Sequence, residues 1–311
     1  MKQTQSPSPL LGVRWTLGPL LLLALWSTGC ADNGRTVTSS PSNVAPSNGA
    51  PSNGGGAAAT SGSVPQESKA TKPAKSDATP VFTYSVVERY PHDRGAYTQG
   101  LIWHDGKLYE STGQYGESTL RHVELKTGKV LKKRDLPRQV FGEGLAAVNG
   151  LFYMLSWKAG QAFLFDTKTL RPLSYNYAYP GEGWGLTTCE EGLVMSDGTA
   201  TIRFLEPKGM KLIREIQVTD KGRKIVELNE LEWINGEIWA NIWKSNRIAR
   251  IDPTNGKVLS WVDMTGLLGN ERVAQPSEEV LNGIAYDAEG KRLFMTGKRW
   301  PFLYHVEIRE K

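Results

Sequence analysis

The chain has 311 residues, 39% of them hydrophobic, with 37 Lys and Arg against 32 Asp and Glu, a formal charge of +5. Residues 1–80 hold six of those cations and three of the anions, leaving 31 against 29 in the rest, which gives no electrostatic case for a nucleic-acid partner. Only one of the two cysteines lies beyond residue 80, so the folded part has no internal disulfide, and four histidines without ligand spacing argue against a His/Cys metal centre.

In chain order, Lys2 and Arg14 precede an apolar run, Leu17 to Trp26, that ends at Ser27-Thr28-Gly29-Cys30. A basic start, a short apolar core and small residues before a cleavage point predict a secretory signal over residues 1–30, too short to span a bilayer as a helix. Cysteine after Thr-Gly predicts lipoprotein processing with acylation of Cys30, although Ser27 stands where such sites usually carry Leu; simple secretion is the alternative. Residues 31–78 are Ser, Pro, Asn, Gly and Ala with the near-repeat APSNGAPSNGG, a composition that cannot offset its own chain entropy and predicts a disordered tether. The expected protein is exported and membrane-anchored through its lipid alone, at the periplasmic or cell surface. Residues 79–311 remain for one globular domain, expected to be a monomer.

That domain opens on a strand-like run, Val81 to Tyr90, and then repeats. Five copies of a short pattern recur: Gln99-Gly100-Leu101, Glu143-Gly144-Leu145, Trp184-Gly185-Leu186, Asn229-Glu230-Leu231 and Asn282-Gly283-Ile284. A turn signal follows each at near-constant offset, from Asp105-Gly106 through Asn149-Gly150, Glu191-Gly192 and Asn235-Gly236 to Glu289-Gly290. Further strand-like runs follow each turn, and helical periodicity is scarce, the stretch Leu267 to Val280 being the least strand-like. Four short strands per unit predict an all-β, five-bladed β-propeller. Its last unit is one strand short at Lys311, and the run Val81 to Tyr90 is the expected closing strand. Two stacked sheets are the fallback.

In such a ring the first strand of each blade lines a central channel, so Gln99, Glu143, Trp184, Asn229 and Asn282 converge at one mouth. A second set follows 14 to 16 residues later, at Trp157, Trp243 and Lys298, the same offset falling near Gly113 and Asp197-Gly198 in the other two units. One acid, carboxamides, an ammonium and indoles suit a small organic ligand, not a Ser-His-Asp nucleophile or a phosphate loop. Glycine after the leading residue also has a purely steric reading, as room where inner strands crowd. Glu182 is a candidate second acid, whereas Glu230 and Glu232 read as structural.

At these residues the chain resembles the plant and bacterial glutaminyl-peptide cyclotransferases of the papaya-latex type. The matching stretches are YTQGL, FGEGL, GEGWGLT, LNELEWINGEIWANIW, LNGIAYD and TGKRWP, spread over all five units. The resemblance implies a five-bladed propeller that turns the N-terminal glutamine of a peptide or protein into pyroglutamate and releases ammonia. It puts the catalytic glutamate at Glu143, with Gln99, Asn229 and Lys298 as polar site residues and Phe141, Trp157, Trp184 and Trp243 as the aromatic pocket. Glu182 and Asn282 are expected to bind substrate beside them. It implies no metal or cofactor for catalysis, although propellers often hold a channel ion, and a structural calcium is compatible. The competing readings are a non-catalytic tethered propeller that binds a peptide or sugar, and a lactone- or ester-hydrolysing propeller, which needs a metal held by several carboxylates where the ring offers one.

Overall fold

The structure is a computed structural model that describes residues 78–311. The expected signal segment, tether and Cys30 lie outside the described residues. The described part is all-β.

The chain enters through β1 (Val81–Pro91) and then lays down sheets of antiparallel strands. The first is β2 (Thr98–His104), β3 (Lys107–Thr112), β4 (Thr119–Val123) and β5 (Val130–Asp135); the second is β6 (Gly142–Val148), β7 (Leu151–Ser156), β8 (Gln161–Asp166) and the short β9 (Tyr177–Ala178). The third is β10 (Leu186–Cys189), β11 (Gly192–Ser196), β12 (Thr201–Leu205) and β13 (Leu212–Gln217). A hairpin, β14 (Thr219–Asp220) with β15 (Arg223–Lys224), then precedes β16 (Leu228–Ile234), β17 (Glu237–Ile242), β18 (Arg247–Ile251) and β19 (Val258–Asp263). The last strands are β20 (Leu281–Asp287), β21 (Arg292–Gly297) and β22 (Phe302–Glu310).

β1 supplies the fourth strand of that final group. It pairs antiparallel with β22 from Phe82↔Glu310 to Pro91↔Phe302 and touches β19 in parallel at Val81 and Phe82, which joins the last two groups into one eight-stranded sheet. The stretch between β19 and β20 forms turns and no strand, as its sequence predicts.

The turn chemistry is visible in the backbone. Asp105-Gly106, Asn149-Gly150 and Asn235-Gly236 each have two successive positive φ angles, the geometry that two-residue hairpins need and that Asn, Asp and Gly adopt at least cost. Burial falls from first to last strand in each group. In the first, β2 begins with five buried residues, whereas most of β5 is exposed.

The core lies between neighbouring sheets in five clusters. One joins Ile102, Tyr109 and Leu120 to Leu145 and Phe152; the next joins Ala146 and Tyr153 to Leu186 and Leu193. Val194 and Phe204 then meet Leu231 and Ile238, and Trp239 and Ile248 meet Ile284 and Met295. The fifth cluster returns to the start, packing Ala285, Phe294 and Leu303 on Leu101 and Leu108. Truncating a fully buried phenylalanine such as Phe152 to Ala removes about 3–5 kcal/mol. The first strands touch in the same cyclic order, β2 with β6 and β20, β10 with β6 and β16, and β16 with β20.

Candidate active site

Four of the five leading residues owe their direction to a local irregularity. Pairing register shifts between Thr98 and Gly100, between Gly142 and Leu145, between Leu228 and Leu231, and between Leu281 and Ile284. A β-bulge adds a residue to one strand and turns its side chain out of the regular pleat. Gln99, Glu143, Asn229 and Asn282 sit at those bulges. Trp184 just precedes β10, held by its N–H to Ser196 O at 3.0 Å.

In the first three groups the glycine after the leading residue is needed sterically. A Cβ on Gly100 would lie 2.5 Å from Leu145 N, on Gly144 2.5 Å from Leu186 N, and on Gly185 2.0 Å from Asn229 O. In the fourth group Glu230 takes this place, and its carboxylate accepts the N–H of Leu101 at 3.2 Å and of Ile284 at 2.9 Å. Burial and neighbouring Glu232 hold the Glu230 carboxyl well above the usual range against those bonds. Glu232 accepts from Tyr286 N–H and the Thr187 hydroxyl, and burial pushes it up to about 8. Both acids tie strands of different groups together, away from the cavity.

At the leading residues a cavity of about 250 Å³ opens. Gln99, Glu143, Asn229 and Lys298 supply its polar lining, and Phe141, Trp157, Trp184 and Trp243 its aromatic wall. Glu143 is 4% exposed, and its Oε1 accepts a hydrogen bond from Gln99 Nε2 at 2.9 Å. Behind Gln99, Asn282 Nδ2 donates to Gln99 Oε1 at 3.3 Å and to Thr98 O at 3.0 Å. Asn282 thus orients Gln99, which orients the acid, and does not line the cavity itself. Burial drives the Glu143 carboxyl well above its ordinary value; Lys298 opposes the shift and Glu182 adds to it.

Lys298 is 2% exposed, with Nζ 4.9 Å from the centre of the Tyr97 ring. Burial pulls its ammonium down to about 8, resisted by Glu143 and Glu278. Its backbone is pinned, with Lys298 N–H donating to Val280 O and Arg299 N–H to Ala96 O. The Asn229 carboxamide oxygen is buried without a hydrogen-bond partner, a polar group left open in the cavity wall.

The indoles are fixed from behind. Glu182 Oε2 accepts from Trp157 Nε1 at 2.6 Å and from Trp184 Nε1 at 3.0 Å, so this acid holds the wall and does not line the cavity. Trp184 meets Trp243 edge to face at 5.6 Å, and Phe141 meets Trp157 at 5.5 Å. Gly113 and Gly198, the offset positions of the first and third groups, are open because rings lean over them. A Cβ there would lie 2.3 Å from Phe141 and 2.7 Å from Trp184.

Tyr97, Gln114 and Glu278 also line the cavity and were not singled out in the sequence. Tyr97 opens the YTQGL stretch, and Gln114 is one residue beyond the offset at Gly113, so both were within reach of the repeat. Glu278 comes from the turn-rich insertion before β20, which has no counterpart in the other groups. Among the described residues no group of three or more His, Cys, Asp or Glu converges as a metal site.

A family model described as glutamine cyclotransferase matches residues 57–308. The chain belongs to the glutamine cyclotransferase family. A protein of Arabidopsis thaliana named glutaminyl-peptide cyclotransferase is 40% identical over 227 residues, 72% of this chain and 71% of that one. The crystal structure of Myxococcus xanthus glutaminyl cyclase matches with a TM-score of 0.70 at 36% identity, covering 75% of this chain and all of that one. The segment shared with the glutamine cyclotransferase family contains every residue that lines the cavity, from Tyr97 to Lys298.

Proposed function

We propose that this chain is a glutaminyl-peptide cyclotransferase, an acyltransferase that converts the N-terminal glutamine of peptides or proteins to pyroglutamate with release of ammonia. The observation that carries the reading is a buried carboxyl, Glu143, inside an indole-walled cavity and hydrogen-bonded to Gln99. It is supported by membership of the family and by the names of the similar plant and bacterial proteins. With it we infer a five-bladed β-propeller, supported by five antiparallel groups whose first strands touch cyclically and whose cores close from last to first.

In the proposed reaction the neutral α-amine attacks Cδ of its own γ-carboxamide, a five-membered closure favoured by its intramolecularity. The new N–Cδ bond forms as the carbonyl electron pair moves onto its oxygen, and the Cδ–Nε2 bond breaks when that pair returns. The attacking nitrogen gives a proton to Glu143, and Glu143 returns one to the departing nitrogen, so the carboxylate is regenerated and ammonia leaves. A carboxyl raised toward neutrality is suited to both halves of that exchange. Asn229 and Lys298 donate to the oxygen that gains charge, each donor worth about 3 kcal/mol. Gln99 and Asn282 orient the acid. The indoles wall the glutamine side chain and exclude water, which suppresses hydrolysis to glutamate.

We extend the proposal to metal-independent catalysis, which predicts unchanged turnover after chelation. A structural calcium in the channel is compatible with the proposal, although both oxygens of Glu230 are already engaged by backbone N–H groups. Export and anchoring through Cys30 are likewise part of the proposal, and loss of fatty-acid labelling in Cys30→Ser is the test. The catalytic reading itself is tested by incubating purified protein with a Gln-initiated peptide. Loss of one ammonia mass per peptide, with ammonia released, supports it; an unaltered peptide overturns it.

A further inference from the structure

A second and larger cavity, about 540 Å³, is lined by Ile242 and Ser245, the chain neighbours of Trp243 in the candidate active site. The β14–β15 hairpin, which the repeat does not predict, forms one bank, and β17 with the start of β18 forms the other. Its walls carry Lys221, Arg223, Lys224 and Arg247. Lys221, Arg223, Lys224 and Arg247 are all exposed. Ile225, Val226, Ile242 and Trp261 give it an apolar floor.

The charge of this groove is not balanced internally. Its one carboxylate, Asp220, accepts from the Thr79 hydroxyl and from Trp261 Nε1 at 2.9 Å. Against the cost of burial, these bonds with Lys221 and Arg247 hold it below its ordinary value, so a single negative charge faces four cations. The nearby ion pairs involve other cations: Lys244 with Glu278 at 3.1 Å and Lys311 with Asp263 at 2.9 Å. Arg247 lies over the Trp261 ring, 4.0 Å from its centre, with its charge still open to the groove. Four cations against one anion are thus gathered in a domain whose overall balance is near +2.

The groove and the reaction cavity are lined by one short run of chain, Ile242 to Ser245. Trp243 walls that cavity, while its neighbours Ile242 and Ser245 line the groove. Trp243 N–H donates to Glu227 O at 2.8 Å, next to Val226 in the groove floor, and Glu227 N–H donates to Gly198 O beneath Trp184. A polypeptide whose first residue occupies the cavity therefore reaches the groove by passing over the Trp243 segment. An extended chain advances about 3.3 Å per residue, so it is the residues a few positions downstream of the first that this path brings to the groove.

We propose that this groove is an exosite for an acidic stretch of the substrate polypeptide a few residues downstream of its N-terminal glutamine. The proposal rests on the cyclotransferase reading. Exposed charge pairs are individually weak and salt-sensitive, so the groove sets preference among substrates and leaves the chemical step alone.

The test uses the full-length protein and three substrates: a Gln-initiated dipeptide, an octapeptide with Glu at positions four to seven, and the same octapeptide with Ser there. The wild type is expected to favour the acidic octapeptide by roughly tenfold in kcat/KM at low ionic strength, through KM, with the preference vanishing at high salt. Lys221→Glu combined with Arg223→Glu, on the exposed hairpin, is expected to abolish or reverse the preference and leave dipeptide turnover unchanged. Equal rates on the two octapeptides, or a preference that survives the double substitution, overturns the exosite. So does a result in which the substitution removes binding to phosphatidylserine vesicles but not the peptide preference, because the groove is then a membrane contact. If the wild type fails to cyclise even the dipeptide, the catalytic reading is what fails. Fluorescence anisotropy of the two octapeptides then decides the groove, tighter acidic binding supporting it and equal binding overturning it.

Discussion

Replacing Lys298 separates the chemistry from the fold. Its fall from 10.5 to about 8 corresponds to about 3 kcal/mol against the charged form, set by burial and partly offset by Glu143 and Glu278. If the ammonium donates to the developing oxyanion, it must be protonated, so activity falls as pH rises through about 8. Lys298→Met removes one donor and is expected to lower kcat/KM by about a hundredfold, with the alkaline fall abolished. Lys298→Arg keeps its charge at every accessible pH and is expected to keep a partial rate without that fall. Stability moves the other way. With the folded value depressed below the unfolded one, the folded state binds fewer protons between about pH 8 and 10.5, so its stability rises with pH across that window. Removing the buried ammonium is therefore expected to raise stability at neutral pH by about 1–2 kcal/mol. The assay is a pH–rate profile of all three proteins on one Gln-peptide, with melting temperatures alongside. A Lys298→Met enzyme that kept the wild-type rate and the alkaline fall would refute the reasoning.

Three further perturbations test the surrounding frame. Glu182→Gln loosens two indoles whose anchor is itself partly solvent-exposed, so KM is expected to rise about fivefold with kcat little changed; a drop confined to kcat would argue that Glu182 moves protons. Gly198→Ala sets a Cβ 2.7 Å from the Trp184 ring at a φ of +79°, with an expected cost of about 1–3 kcal/mol read as weakened peptide binding and a lower melting temperature; unchanged binding contradicts the placement of that ring. His92 has Trp300 O at 2.7 Å from Nδ1 and Glu110 Oε1 at 3.0 Å from Nε2, so it is held as an imidazolium. Burial pulls its pKa down, but Glu110 and the Trp300 carbonyl outweigh it and raise it; Glu110, penalised by burial, is lowered by His92 and Arg121. The His92 contribution is therefore full below about pH 6.5 and lost as pH rises through its raised value, while that of Glu110 is lost as pH falls through its lowered one. His92→Ala is expected to cost about 3–5 kcal/mol by stranding a buried carboxylate, and a loss well under 1 kcal/mol in denaturant titration contradicts the ion pair.

Much of this was legible in the residues because the repeat acts as a ruler. The leading positions could be read since four of the five are followed by glycine and all five by Leu or Ile one place on, and inner strands approach closely enough at Gly100, Gly144 and Gly185 to forbid a side chain. Hairpin turns were equally legible, since Asn-Gly and Asp-Gly select the positive φ pairs the backbone adopts. What the ruler could not reach were features that break its spacing. Glu278 enters from the insertion before β20, and the β14–β15 hairpin interrupts the step from the third group to the fourth. Asn282 shares the repeat position yet sits behind Gln99, because at that bulge its amide is taken up by Thr98 O and Gln99 Oε1. Side-chain partnership of that kind is decided by neighbours distant in sequence. The same holds for Glu182, whose proximity to Trp184 in the chain suggested a second acid, whereas its carboxylate holds two indole N–H groups.

Comparing Glu143→Gln with the wild type, for both peptide affinity and cyclisation rate in a single turnover, bears most directly on proton relay by one buried acid. The isosteric amide can still occupy the site beside Gln99, so tight binding with cyclisation reduced to the uncatalysed rate is the predicted pair of results. Cyclisation by the variant at the wild-type rate would show that the proton travels by another route.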